Sequence, residues 1–504
     1  MSRDTAMSDS EAAINKEGQT EIGHEGSPPL SFVAGVPPAH VEIDLMRAHA
    51  FAAVGSLMIA ALFGLAVAIK LVQPDFMGGN VATTWGSMRA NHTQGILFGW
   101  LGNAFLAFLY FAVPRLAGRP VVSRSLGWSV FWLWNIGVVL LGWTLISINI
   151  PSYIWGVKPL EWTEFPLAVN LITEVCLGLI AVQFIPPLAS KPNRDGMYVS
   201  SWYAIGGLVF TFLAFPVGSL VPQLVPGAIG AAFSGLWIHD AVGLFVTPLA
   251  LVIAYYVIPV RTEHPIYSHF LSMIGFWLLF FAYPLNGTHH YVYSSIPMDT
   301  QRAAITASIV MGFDVILVVI NLLMSLSGKS ALVRRDAPLR FVWTGIILYL
   351  IVSLQGSLQA LMPMQRYIHF TDWVIGHSHL AMLGFASFLS LGGIAHIWER
   401  SARCQYHEGY MNWAFWLILV GLLAMVIDLT IGGLQQGQLW IDGTPWMDSV
   451  RISKEFWLLR IFAAIPILLG FAAFIAGMLS NSGKRTLKND CRIPHVSSPG
   501  AAHG

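Results

Sequence analysis

Six histidines stand inside or at the ends of apolar stretches, where a titratable side chain needs a reason to be. Of the sixteen in the chain, His92 opens one such stretch, His239 lies about ten residues into another, His289 and His290 close a third, and His377 and His379 open a fourth. Ionisable groups inside membrane-length runs are expensive and point by default to function, and imidazole is the commonest metal ligand. His377 and His379 are two residues apart, so on a helix their side chains diverge by roughly 200°. They cannot share one metal, but they can serve two sites on opposite faces of one helix. One site needs a further axial nitrogen to make six-coordinate, low-spin iron, and His92 can supply it. The other keeps an open position, and opposite it His239, His289 and His290 offer three imidazoles, a set suited to copper, zinc or iron. For both rings of the adjacent pair to reach one ion their helix must end or distort, and Gly287 supplies that freedom. The histidines at 24, 40, 495 and 503 and His264, His269, His396 and His407 read as solvated or capping groups.

The elements that must position these groups are membrane helices. The 504 residues are 55% hydrophobic and 11% charged, with mean hydropathy +0.64, whereas soluble domains carry about 25% charged residues. That excludes a cytosolic enzyme, a nucleic-acid binder and a secreted disulfide scaffold, and a net charge of +1 removes arguments from bulk electrostatics. Twelve apolar runs approach the ~20 residues a bilayer helix needs: 49–73, 93–114, 125–148, 166–189, 200–223, 230–259, 267–290, 302–326, 340–362, 374–397, 412–433 and 456–478. They are continuous and not alternating, which excludes a β-barrel. The fold class expected is all-α integral membrane, a twelve-transmembrane-helix bundle in one domain over 41–480, between disordered tails at 1–40 and 481–504. An even span count puts both tails on one side. With that side inside, nineteen Lys and Arg fall in inner segments against seven in outer ones, so both termini are expected in the cytoplasm. The six histidines then share the outer third of the membrane. Cys176, Cys404 and Cys491 form no Cys-x-x-Cys pair, which leaves neither a structural zinc site nor a covalent haem c.

One histidine on the second span, one on the sixth, His-His on the seventh and His-x-His on the tenth resembles the haem–copper oxidase superfamily across essentially all of 41–480. The run His239-Asp-Ala-Val-Gly-Leu-Phe and the stretch Tyr283-Pro-Leu-Asn-Gly-Thr-His289-His290 are similar to the sixth and seventh helices of cbb3-type cytochrome c oxidases. The resemblance implies two b-type haems, a low-spin one between His92 and His379 and a high-spin one on His377, and a copper, Cu(B), on His239, His289 and His290. It implies a tyrosine, here Tyr283, covalently joined to His239. The chemistry needs it: splitting the O–O bond takes four electrons and a proton at once, and a redox-active phenol beside the metal supplies the last electron with its proton. Pro284 reads as a kink.

The resemblance extends to a single proton channel formed by Tyr255, Ser272, Tyr283, Thr247, Asn321 and Tyr349, to Arg89 and His369 as contacts of haem propionates, and to calcium near Glu161 and Glu164. Arg460 is a further candidate for a propionate. The family usually has glutamate where Gln355 stands and asparagine where Asp240 stands. Glu174, Asp314 and Asp428 read as hydrogen-bonders of the bundle interior in preference to the alternative, a side branch for protons. The function implied is that of a respiratory terminal oxidase in the bacterial inner membrane, reducing O2 to water and translocating protons. Its electrons come from cytochrome c or an equivalent donor through haem-c-bearing partner subunits, since this chain holds no haem c. The alternative, nitric oxide reductase, uses non-haem iron with a glutamate four residues after the sixth-helix histidine; Gly243 stands there. A redox-free transporter would leave the six histidines without purpose.

Overall fold

The computed structural model describes residues 40–190, 197–401 and 406–480; the tails expected at 1–40 and 481–504 lie outside them apart from His40, as do Cys404 and Cys491. The described residues form helices and no strand. Twelve helices are long and apolar enough to cross a membrane: α1 (Ile43–Val72), α2 (Trp85–Ala117), α3 (Arg124–Ile148), α4 (Leu167–Ala189), α5 (Val199–Leu224), α6 (Gly227–Thr262), α7 (His269–Tyr291), α8 (Met298–Met324), α9 (Ala337–Gln359), α10 (Asp372–Arg400), α11 (Glu408–Ile441) and α12 (Trp446–Leu479). Each matches one expected run. The last two outrun expectation at 34 residues each, ~51 Å at 1.5 Å per residue. Hydropathy sees only their apolar parts; the polar continuation through Gln436 stays helical because Gln436 Oε1 accepts from Asp372 N at 2.8 Å.

Three helices are enclosed by the others. The most apolar stretches of α2, α6 and α10 are 94%, 94% and 100% buried, against 33–61% in the other nine spans, and they carry His92, His239, and His377 with His379. Phe105 of α2 meets Phe245 of α6 at 5.8 Å between ring centres, and Trp100 Nε1 of α2 donates to Ser387 Oγ of α10 at 2.8 Å. Each enclosed helix widens into a π-helical segment soon after its histidine: Gly95–Gly102, Ala241–Val246 and Leu380–Ser387. Such segments gather at functional sites. The α-helical part of α7 stops at Ala282, and its histidines lie in 3₁₀ turns Tyr283–Leu285 and Gly287–Tyr291. The expected distortion is there, but Gly287 serves it by letting α6 approach: a Cβ would lie 2.9 Å from Leu236 Cα, and its φ is not positive.

At the end of the bundle remote from these histidines, Arg261 of α6 joins three helices. Its side chain, 8% exposed, pairs with Asp336 at 2.7 Å and with Glu399 at 2.7 Å, and its Nε donates to His396 Nδ1 at 2.9 Å. His396 is therefore an interior acceptor and not a solvated group. Asp336 also caps α9, its Oδ1 accepting from Leu339 N at 2.8 Å, a use that favours helix formation. Removing one partner of a buried ion pair leaves the other charge uncompensated. Arg261→Met is therefore expected to destabilise the protein by about 3 kcal/mol, the low end for such a loss because Glu399 keeps part of its surface in water; thermal unfolding in detergent measures it.

Candidate metal centre

Two cavities flank α10 at the histidine end of the bundle. Val374, Ser378 and Met382, one turn apart, form part of the wall common to both, while His377 faces one cavity and His379 the other. The helical twist that separates residues two apart thus turns one short motif toward two chambers.

The first chamber encloses about 1120 Å³, its mouth included, and is lined by His239, His289, His290, His377 and Tyr283. The ligand atoms of His239, His289 and His290 all lie within 4.8 Å of one another. His239 Nδ1 faces His290 Nε2 at 3.2 Å, and His289 Nδ1 meets Ser308 Oγ at 2.6 Å. Across the chamber His377 Nδ1 donates to Gln355 Oε1 at 3.0 Å. These contacts fit a metal centre, because ligating histidines are oriented by a hydrogen bond to the second ring nitrogen. Tyr283 lies against His239, ring centres 4.2 Å apart and planes 18° apart. Gly243 makes room for it: a Cβ there would sit 1.7 Å from Tyr283 Cε1. Any side chain at 243, a glutamate included, excludes the tyrosine ring. His239 Nε2 is buried without a partner.

The second chamber encloses about 1850 Å³, its mouth included, and is lined by His92, His379, Arg89, Trp440, Trp457 and Arg460 among others. His92 Nδ1 donates to Ala60 O at 2.7 Å and His379 Nδ1 to Ile375 O at 2.8 Å, so the Nε2 atoms are left as ligands. The two ring centres are 6.3 Å apart. Two metal–imidazole bonds of about 2 Å, plus the distance from each nitrogen to its ring centre, come to roughly 6 Å, so one ion fits between them. Arg460 faces Asp372 at 4.0 Å, and Asp372 Oδ2 also accepts from Gln436 and Trp457.

The remaining expected residues divide. Arg89 lines the second chamber, but its guanidinium is held by Glu161 at 2.7 Å and Glu164 at 2.8 Å. The two carboxylates expected near calcium thus each give one oxygen to Arg89. Burial raises the Glu164 pKa above the ordinary carboxylate value, against Arg89 and Gln94, which lower it. His369 lines neither chamber; its ring lies 4.0 Å from that of Phe370, and burial lowers its pKa. Thr247 and Tyr349 line the first chamber, and Asn321 Nδ2 donates to Ser272 Oγ at 2.8 Å, with Tyr255 fully buried nearby. Glu174 Oε2, Asp314 Oδ1 and both oxygens of Asp428 have no hydrogen-bond partner, contrary to their reading as hydrogen-bonders. Ser308 and Gln436 escaped the sequence reading, because serine and glutamine in a span carry no periodic signal of their own.

Residues 44–466 match the family described as cytochrome c and quinol oxidase polypeptide I. The cbb3-type cytochrome c oxidase subunit CcoN1 of Stutzerimonas stutzeri is 29% identical over 82% of this chain and 88% of its own length. A cytochrome c oxidase subunit 1 homologue of Agrobacterium tumefaciens (strain T37) is 29% identical over 87% and 84%. A nitric oxide reductase chain from Stutzerimonas stutzeri is 22% identical over 82% and 90%. In fold, the chain resembles a haem–copper terminal oxidase dimer solved by cryo-electron microscopy, with TM-score 0.67 and 12% identity over 88% of this chain and 85% of that one.

Gly243→Ala is expected to drive Tyr283 off His239 and to lower the metal bound by the three-histidine cluster, read by elemental analysis against the unchanged protein. Gln355→Glu replaces a neutral acceptor by an anion beside His377. A haem held by His377 should then show a higher iron–histidine stretching frequency in resonance Raman spectra and a lower midpoint potential.

Proposed function

Because the chain belongs to the cytochrome c and quinol oxidase polypeptide I family, a haem–copper oxidase family of multi-pass membrane proteins, we propose that it is the catalytic subunit of a cbb3-type respiratory terminal oxidase. It reduces O2 to water with electrons from cytochrome c, or an equivalent donor, passed through haem-c-bearing partner subunits. Proton translocation accompanies the reaction. The observation that carries this reading is Tyr283 lying against His239 in the space that Gly243 leaves open.

The residue roles follow from the two chambers. His92 and His379 hold a low-spin b-type haem, His377 a high-spin one, and His239, His289 and His290 the copper. When bound, these groups accept electrons and bind and reduce dioxygen, chemistry that belongs to the cofactors and not to side chains. The chain does the rest. Ala60, Ile375, Gln355 and Ser308 hold the imidazoles in place through their second nitrogens. Tyr283 holds a proton at its phenolic oxygen beside the three-histidine cluster and gives it up there. A proton at Nε2 of His239 would lack a hydrogen-bond partner, and an unmet buried donor costs about 1–3 kcal/mol; a bond from Nε2 to the Tyr283 ring, which removes one hydrogen from each residue with dioxygen as the two-electron oxidant, removes that donor. Arg460, and Arg89 steadied by Glu161 and Glu164, face the second chamber as cations suited to propionates, and His369 lies outside this set.

Tyr255, Ser272, Asn321, Thr247 and Tyr349 are read as the proton route, leading from the end that carries Arg261 toward Tyr283. The excess of Lys and Arg in the segments at that end supports placing it, with both termini, in the cytoplasm. Donor subunits then dock at the opposite face, above the second chamber. Residues 41–480 act as one catalytic domain in the bacterial inner membrane.

Metal and haem analysis of the purified complex tests the reading: two haems and one copper are expected, with oxygen uptake driven by reduced cytochrome c. A second kind of iron, with nitric oxide consumed and no oxygen uptake, would overturn it in favour of nitric oxide reduction. Tyr283→Phe is expected to keep the metals and lose oxygen turnover at least 100-fold, within the 10²–10⁴ range of proton-transfer contributions. Intact-mass and peptide analysis of the unchanged protein should find a 239–283 bridge two hydrogens lighter than the separate residues.

A further inference from the structure

Asp314 Oδ1 of α8 and the Tyr203 hydroxyl of α5 come together beside Gly275 of α7: a Cβ built there would lie 3.4 Å from each, and 2.5 Å from Val318 Cγ2, which fills the space. Both oxygens are buried without a hydrogen-bond partner. The rings of Tyr203 and Tyr255 stack, 5.5 Å apart with planes at 17°. Asp314 is 1% exposed and both tyrosines are 0% exposed. An isolated carboxylate in such a place is too costly to stay ionised, so Asp314 carries a proton at rest.

Asp314 lies between the two halves of the proposed route. On one side Ser272 is three residues before Gly275, it accepts from Asn321 at 2.8 Å, and both flank the Tyr255 hydroxyl. On the other side Met311 and Val315, Asp314's neighbours on α8, line the first metal chamber together with Tyr349. The titratable groups in electrostatic range of Asp314 are Tyr203, Tyr255 and Tyr349, from α5, α6 and α9.

We propose that Asp314, beside Tyr203, is the proton-holding station of this route. The Asp314 carboxyl releases its proton toward Tyr349 and regains one from the Tyr255, Ser272 and Asn321 side, so the station ends each passage as it began. This role rests on the oxidase reading, since a route needs a reaction that consumes protons at its end. Asp314 touches neither the metals nor dioxygen.

The purified complex carrying Asp314→Asn is expected to keep its haem content and its reduced-minus-oxidised spectrum. Oxygen turnover should fall tenfold or more, with an enlarged solvent isotope effect, and a protonated-carboxyl band should vanish from the redox-induced infrared difference spectrum. Asp314→Glu, which keeps the acid, should recover most of the turnover. Tyr203→Phe removes one hydroxyl without changing the packing and serves where Asp314→Asn fails to assemble; it should shift the carboxyl band and slow turnover at least twofold. Unchanged turnover and an unchanged carboxyl band in either variant overturn the proposal. If the unsubstituted complex takes up no oxygen while Asp314→Asn still deletes the band, the oxidase reading fails and the protonated Asp314 station stands.

Discussion

An imidazole offered to a metal from inside a lipid-embedded bundle must be held by its other nitrogen, and the architecture of this protein follows from meeting that demand. His92 is fixed by a carbonyl of α1, His289 by a hydroxyl of α8, His377 by an amide of α9 and His379 by a carbonyl of its own helix. A ring so held presents its remaining nitrogen in one direction and one tautomer. Enclosing α2 and α10 puts anchors of α1 and α9 within reach of His92 and His377.

Absent side chains matter as much as present ones. Gly243 leaves the volume that the Tyr283 ring fills, and Gly275 lets Val318 pack close beside Asp314 and Tyr203. Membrane helices gain little from apolar contact with one another, so close approach through small residues is a main source of packing. At Gly243 the same device shapes chemistry, by admitting a phenol to the metal cluster. The π-helical widening that follows each ligating histidine on the enclosed helices works in the same direction, shifting the register of the helix face just beyond the chamber.

Arg89 shows how a charge expected to serve a cofactor is itself maintained. Its two carboxylate partners, Glu161 and Glu164, come from the segment between α3 and α4, and Glu161 walls its side of the second chamber. A guanidinium with two anionic partners keeps its orientation whether or not a further anion is present. Asp372 holds the same position toward Arg460 and adds hydrogen bonds from Gln436 and Trp457. The long, partly polar ends of α11 and α12 therefore have a purpose that hydropathy does not register.

The twelve spans, the six histidines and their division between two chambers were legible in the sequence, because each rests on a local rule. Spanning length follows from bilayer thickness, and the split of His377 from His379 follows from helical twist. Tyr283 was legible through its motif, and the end of α7 through the adjacent histidines and Pro284. Which helices are enclosed was not, since lipid is as apolar as a protein interior and α2, α6 and α10 read no differently from their neighbours. Nor were the anchors Ala60, Ser308 and Ile375, the capture of Arg89 by Glu161 and Glu164, the absence of His369 from both chamber walls, or the meeting of Asp314 with Tyr203 at Gly275. Those depend on which faces of separate helices touch, and only the packed bundle decides that.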